Sequence, residues 1–486
     1  LIVQTEERKC AEVIMDYFRK KKLSVDVYSY DGCQVRGTDV VTDEMLRECE
    51  AAVKEVTGWV IQLKIKPFGD PLETIPTTED TLEAAYADMK ALWEKDHFYF
   101  KPTNTIVEVS KRGDLTHFTL EHATETFNMW KLGADEKGEP TFFLKKWNKD
   151  PSRRIIDTLV YKKPEDCKPN EATLFRDFTY KSLEPCENPE AVAQFQDILR
   201  AVSGDDEAAF QYNLKWMARI VQKPFEKSGV AVIFINKTQG TGKDTICLWL
   251  KAVLGNHVAH YSDENTFWNQ YDTKQEGAVL MYLEEVGSGA AKANATALKA
   301  RLTSATLSVN PKGVKAYEIP NMGNYVMTTN QTDPVRIEGT DRRFFPSYGS
   351  DRLRGKSDYW VKFYTDTQLG SVYDPSPSWV YPIGKFLEGV DLTGFNPREM
   401  PENEFKNEII AITEPSEESF LKQWRGVEMT ATEMYNEYRD FCMENSRPYA
   451  TSVITFCKSL MRGYSQYFTK KATKKASVYT SLLPPL

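Results

Sequence analysis

The stretch Gly229-Val-Ala-Val-Ile-Phe-Ile-Asn-Lys-Thr-Gln-Gly-Thr-Gly-Lys-Asp-Thr245 decides the fold of this 486-residue chain. Its first half is an unbroken apolar run, too short to span a bilayer and suited to a buried strand. Its second half is a glycine-rich loop, and Thr245 to Val253 then has helical spacing. A strand, a glycine loop and a helix in this order let backbone amides turn inward around a phosphate, with the positive end of the helix behind them. Gln239, Gly240, Thr241, Gly242, Lys243, Asp244 and Thr245 are therefore the expected nucleotide-binding residues. Lys243 is expected to reach the terminal phosphates of ATP. Two positions depart from the usual G-x-x-x-x-G-K-[ST] pattern: Lys237 stands where a glycine is normal, and Asp244 where a hydroxyl is. Asp244 or Thr245 is accordingly expected to help hold Mg²⁺ or its water shell.

Working outward, three further landmarks follow. Ala278-Val-Leu-Met-Tyr-Leu-Glu-Glu285 is an apolar strand ending in two acids, with Glu284 expected to engage Mg²⁺ and Glu285 to polarise an attacking water. Tyr325-Val-Met-Thr-Thr-Asn330 is a strand ending in an amide suited to orienting that water or the γ-phosphate. Arg342 and Arg343 offer planar, permanent charge for a transferring phosphoryl group. If one acts on a neighbour's nucleotide, the site exists only in an assembly, and a head-to-tail ring follows. Between acids and amide, Asn310-Pro-Lys-Gly313 reads as a hairpin turn that projects Lys312 and Lys315. In a ring such lysines line the bore and grip a phosphodiester backbone.

These residues together resemble a superfamily 3 helicase. The closest likeness is to the primase–helicases of phages, large DNA viruses and poxviruses. It rests on Gln-Gly-Thr-Gly-Lys-Asp-Thr245, Leu-Glu-Glu285, Leu298-Lys299, Lys-Gly-Val-Lys315, Thr-Thr-Asn330 and Asp-Arg-Arg-Phe344. Upstream, Leu174-Phe175 and Asn213-Leu-Lys-Trp-Met-Ala218 resemble the segment before the ATPase core. The resemblance implies an α/β fold with an AAA+ P-loop core, a homo-hexamer, ATP with Mg²⁺, and translocation on single-stranded DNA at a forked duplex. By motif it implies Arg343 as the finger and Lys299, Lys312 and Lys315 as pore contacts. It also implies an N-terminal primase. No acid pair with a histidine suited to two-metal chemistry is found here, so the primase is expected before Leu1, the chain reading as a fragment.

The flanks divide as follows. Residues 1–80 read as helix, strand, helix, strand, with a proline-rich linker at Lys66 to Thr78. Residues 81–225 read as a small α+β core followed by a helical region, with strands around Phe98, Val107 and Phe118. The dense aromatics there are read as core rather than as a base-stacking surface. Residues 226–365 are the expected ATPase core and 366–415 a proline-punctuated connector. Residues 416–486, helices followed by a basic ribbon, read as winged-helix-like, with Lys470, Lys471, Lys474 and Lys475 as the nucleic-acid face. The net charge of −8 argues against wholesale nucleic-acid coating, so local basic faces must carry any binding. Eight cysteines without a Cys-x-x-Cys pair fit free thiols in a reducing compartment. His257 and His260 lack a third ligand and suit an ordinary structural role. With no leader or membrane span in the sequence, a soluble intracellular protein acting at a viral replication site is expected. Two other readings stay open: a ring ATPase that moves or packages nucleic acid without unwinding, and a binding scaffold with a degenerate pocket.

Overall fold

The computed structural model describes residues 2–21, 23–29, 32–36, 41–63, 79–110, 113–134, 140–287, 294–332, 334–335, 337, 341–371, 374–445, 447–473 and 476–484. They form two compact units, one of residues 1–89 and 129–143, the other of residues 90–128 and 144–486.

In the first unit, helices Ile2–Lys20 and Asp43–Thr57 flank an antiparallel hairpin of Ser24–Ser29 and Gly32–Arg36. The Thr42 hydroxyl caps the second helix by accepting from Met45 N, and Gly58 ends it in the left-handed region. The expected order is corrected here. The second strand pairs directly with the first, ahead of the second helix, and residues 58–63 carry no ladder. The Lys66–Thr78 linker lies outside the described residues.

The second unit begins with an antiparallel sheet ordered Leu115–Phe118, Thr105–Val109, His97–Phe100, closed on its far edge by Ile155–Ile156 in parallel. Helices Pro189–Val202 and Glu207–Gln222 then bury aromatic and aliphatic faces in the main core. The helical spacing of Ala191 to Gln222 is interrupted once, at Gly204 and Asp205, both with positive φ.

The central sheet is parallel. Its strands are β1 (Ala231–Ile235), β2 (Val258–Tyr261), β3 (Leu280–Leu283), β4 (Asn324–Thr329) and β5 (Phe344–Tyr348). Their order across the sheet is 5-1-4-3-2, so β1 lies between β4 and β5 and is buried along its whole length. That double burial explains why its sequence is apolar without alternation. Helix α1 (Lys243–Leu254) follows β1 and packs Ile246, Trp249, Leu250 and Val253 into the core. Between β3 and β4 the chain forms helix Ala295–Thr303 and an antiparallel hairpin, Thr306–Val309 with Tyr317–Pro320.

Residues 366–415, expected as a connector, are structural. Pro377 and Pro382 sit within helix Pro377–Glu388, whose Trp379, Val380, Ile383 and Leu387 belong to the main core. Gln222 Nε2 donates to the carbonyls of Leu387 and Val390 at 2.9 and 2.8 Å, fixing that helix's end. Proline at the first turn favours a helix start, which the proline count alone obscures. Residues 416–484 have their own core around Phe420, Trp424, Tyr438, Phe456 and Tyr479. They run helix Ser416–Leu421, strand Met429–Thr430, helices Ala431–Glu444 and Val453–Gly463, then strands Phe468–Ala472 and Ser477–Ser481 in one three-stranded sheet. Among the described residues no helix is long and apolar enough to cross a membrane.

Candidate functional site

A parallel sheet delivers every strand's carboxyl end to the same edge, and a crevice forms there beside a strand whose neighbours leave in different directions. β1 is such a strand. The loop after it is tied down at its start: Asn236 Nδ2 donates to Gly349 O at 2.9 Å, and Thr238 N and Oγ1 both donate to Asn236 Oδ1 at 2.8 Å. Thr238 Oγ1 also donates to Asp351 Oδ1 at 2.5 Å. Hydrogen bonds from Thr238 and Asn236 hold the Asp351 carboxyl below its ordinary value. The glycine loop itself turns through Gly240 (φ +75°) and Gly242 (φ +92°). At Gly242 a Cβ would also meet Trp360 and Ile198 at 3.0 Å, so both backbone and space require glycine. Gln239 and Gly240 are exposed, whereas Thr241, Gly242, Lys243 and Thr245 are buried.

Lys243 is 4% exposed. Its nearest counter-charge is Asp244 Oδ2 at 3.6 Å, a loose partner for a buried ammonium. Asp244 Oδ1 accepts from Tyr282 Oη of β3 at 3.2 Å. Thr245 Oγ1 lies 2.7 Å from Tyr364 Oη in helix Ser357–Thr367. Of the two candidates beside the lysine, Asp244 is therefore the partly exposed one and Thr245 the one committed to packing.

Glu284 and Glu285 leave the carboxyl end of β3. Glu284 Oε2 is 2.8 Å from His260 Nε2 at the neighbouring strand. His260 stacks on Tyr282 with centroids 4.5 Å apart, and its Nδ1 faces Lys251 Nζ at 3.3 Å. Burial depresses the His260 pKa, the Glu284 carboxylate opposes that shift, and Lys251 adds to it. A neutral ring with Nε2–H toward Glu284 and Nδ1 accepting from Lys251 satisfies all three groups. Sequence reasoning missed His260 as a support for the first acid. No sequence signal marked it, because only the parallel register of the folded sheet sets His260 beside Tyr282. His257, by contrast, is structural: Tyr161, Gly277 and Arg176 surround its ring.

Glu285 has φ +50°, a left-handed conformation costing about 1–2 kcal/mol for a non-glycine residue. Such strain clusters at functional positions. Contacts to β4 hold it there: Glu285 N donates to Thr328 Oγ1 at 3.3 Å and Val286 N to Thr328 O at 2.8 Å. One residue beyond β4, Asn330 has a buried Oδ1 with no hydrogen-bond partner among the described residues, and the Thr241 hydroxyl in the glycine loop likewise has none among them. Buried polar atoms normally find partners, so this edge has unused capacity for a polar ligand. No group of three or more His, Cys, Asp or Glu side chains with metal-holding geometry occurs among the described residues. A divalent ion here would depend on ligand phosphates and water, as Mg²⁺ commonly does.

The arginines lie elsewhere. Arg343 precedes β5, its carbonyl accepts from Ala231 N at 2.7 Å, and it therefore sits beside the start of β1. The length of β1 separates it from the glycine loop, roughly 15 Å at a strand's rise per residue. Asp341 Oδ1 accepts from Arg343 N at 2.9 Å and lies 3.5 Å from its guanidinium. Arg342 is exposed. Lys299, expected at a pore, is 3.0 Å from the buried Asp341 carboxylate. Lys312 and Lys315 are exposed at the hairpin tip. Lys470 and Lys471 are exposed on the C-terminal ribbon, and Lys474 and Lys475 lie outside the described residues.

With this geometry in view, residues 234–343 match the model of a family of unknown function (DUF5906). The particular relative is the DNA primase-polymerase of Nitratiruptor phage NrS-1: the two are homologous, 28% identical over 254 residues. That match covers 51% of this chain and 33% of the relative, so the chain spans about a third of the length of that protein. An apo structure of the NrS-1 C terminal region aligns at TM-score 0.55 and 17% identity, over 84% of this chain and 100% of the other. Its A form gives 0.57, 18%, 83% and 100%. At such identity the likeness is one of fold.

Proposed function

We propose that this chain is the ATP-driven motor module of a viral DNA replication protein, an AAA+ P-loop ATPase working as a hexameric helicase on single-stranded DNA. One observation carries the reading. The glycine loop with buried Lys243, the paired acids after β3 and the orphaned amide after β4 share one edge of a sheet ordered 5-1-4-3-2.

Each residue then has a task. Backbone amides around Gly240 and Gly242 face the phosphates, and Lys243, poorly neutralised by Asp244, receives their charge. Mg²⁺, when bound, would neutralise developing phosphate charge, with Asp244 and Glu284 as the carboxylates available to its shell. Glu285, held in a strained backbone by β4, polarises the attacking water. Asn330 fixes the orientation of that water or of the γ-phosphate. Arg343 is too distant to serve its own loop and acts on the neighbouring copy's phosphate. Lys312 and Lys315 contact the strand in the bore. Residues 416–484, with Lys470 and Lys471 exposed, serve as a winged-helix-like DNA-binding domain.

The test is ATP turnover with and without single-stranded DNA, followed by strand displacement on a fork. DNA-stimulated turnover that disappears in Lys243→Ala, together with fork unwinding, supports the proposal. Turnover without displacement reduces it to a translocase. Absence of both in assembled wild-type protein overturns it.

A further inference from the structure

The small antiparallel sheet of the second unit carries a pocket of about 430 Å³ that the motor reading leaves unused. Its apolar wall includes Phe98, Leu115 and Leu159, and two arginines, Arg154 and Arg176, line it as well. Arg154 is half-buried, with its guanidinium 5.5 Å from the centre of the Phe98 ring. Among the described residues its one side-chain hydrogen bond is from Nη1 to the Glu94 carbonyl at 2.6 Å. The Glu94 carboxylate is occupied by Trp147 Nε1 and by Arg154 N, at 2.8 and 2.7 Å. Among the described residues the Arg176 guanidinium donates only to carbonyls, those of Thr173 and Phe175, while its backbone N donates to His257 Nε2 at 3.2 Å. Among the described residues neither guanidinium has a carboxylate within ion-pair distance.

Two acids also line the pocket. Glu171 is committed to Lys162 at 2.6 Å and to Lys168 N at 2.8 Å. Asp96 stands next to Lys95, which lines the same pocket. Burial depresses the Arg154 pKa, Glu94 and Asp96 oppose this, and the charge of Arg176 adds to it. Two guanidiniums on one pocket lining, neither in an ion pair, favour an anion that would neutralise them.

We propose that this pocket binds the phosphate of a nucleotide, with Arg154 and Arg176 together as the clamp and the half-buried Leu115 on its apolar side. Guanidinium forks match phosphate geometry. The volume falls in the range of small-molecule sites. The same chemistry belongs to a free mononucleotide and to the terminal nucleotide of a DNA strand. The site is independent of the glycine loop.

Calorimetric titration of the full chain carrying Lys243→Ala, with thymidine 5′-monophosphate and with thymidine, tests it. The monophosphate is expected to bind and thymidine not to. Adding Arg176→Gln or Arg154→Gln should weaken binding about tenfold or more, the scale of one charged hydrogen bond. Arg154 supports Glu94, so if its variant fails to fold, Arg176→Gln and Arg176→Lys carry the test, the lysine restoring part of the affinity. Equal affinity for the two probes, or unchanged affinity in Arg176→Gln, overturns the proposal. A 5′-phosphorylated ten-residue oligothymidylate that displaces the monophosphate identifies a strand end as the source. One that does not identifies the free nucleotide, and the clamp stands in either case.

Discussion

The two ends of the central sheet are built on opposite principles. At the carboxyl end, groups are buried and under-satisfied: Lys243 faces a loose partner, Asn330 Oδ1 and the Thr241 hydroxyl have none among the described residues, and Glu285 is strained. At the amino end, Asp341 ties down Lys299 and Arg343, while Arg342 points to solvent. Unused donors and acceptors characterise one end, and cations, two of them tied to a buried carboxylate, characterise the other. A strand's length keeps the two ends apart within one chain, so the proposed phosphoryl-transfer site would need the ends of two copies.

Complementation breaks this comparison most sharply. Lys243→Ala and Arg343→Ala should each lose turnover by on the order of 10³-fold or more. Mixing the two should restore measurable turnover, because a junction can combine an intact loop with an intact arginine. Mixtures as inactive as their components would show that the ends do not meet between copies. Asn330→Ala should cost roughly 10²-fold in kcat with little change in KM, as removal of a transition-state donor does. A change confined to KM would move Asn330 into ground-state binding.

Smaller effects sharpen the contrast. Lys312→Ala and Lys315→Ala should leave basal turnover intact. Each should lower the salt dependence of DNA affinity by about one phosphate contact. An unchanged slope removes the hairpin from the DNA path. The hairpin's base makes the smallest prediction. Tyr317 Oη donates to Glu276 at 2.6 Å and lies 2.9 Å from His117 Nε2. Burial raises the Glu276 carboxyl to about 7. A carboxyl raised in the folded state adds stability that is complete below its unfolded pKa and is lost as pH rises through about 7. Glu276→Gln should therefore flatten the decline in melting temperature between about pH 5 and 8. An unaltered slope would mean that Glu276 is not the group titrating there.

Local chemistry was legible because local chemistry writes it. β1, the glycine loop and α1 follow from an apolar run, two glycines and helical spacing. The hairpin around Asn310–Gly313 follows from turn residues. The supports of the site were not legible. His260 lies 24 residues before the acid it holds, and Tyr364 lies 119 residues beyond Thr245. The proline-rich stretch misled in a different way. Pro377 suits the start of helix Pro377–Glu388 and Pro382 is tolerated inside it against its usual cost, where Trp379 stacks on Trp249 in the core. The pocket of Arg154 and Arg176 had no sequence signature, since several strands, a helix end and loops from residue 95 to residue 176 assemble it.

What the sequence determined by itself was the succession of elements and the residues at their ends, because burial pattern, glycine and caps act over a few positions. What only the tertiary structure decided was which of those residues meet. A parallel sheet sends all carboxyl ends one way and all amino ends the other. Strand order, set by packing across more than a hundred residues, thus gathered Lys243, Glu284, Glu285 and Asn330 on one edge and left Arg342 and Arg343 on the other.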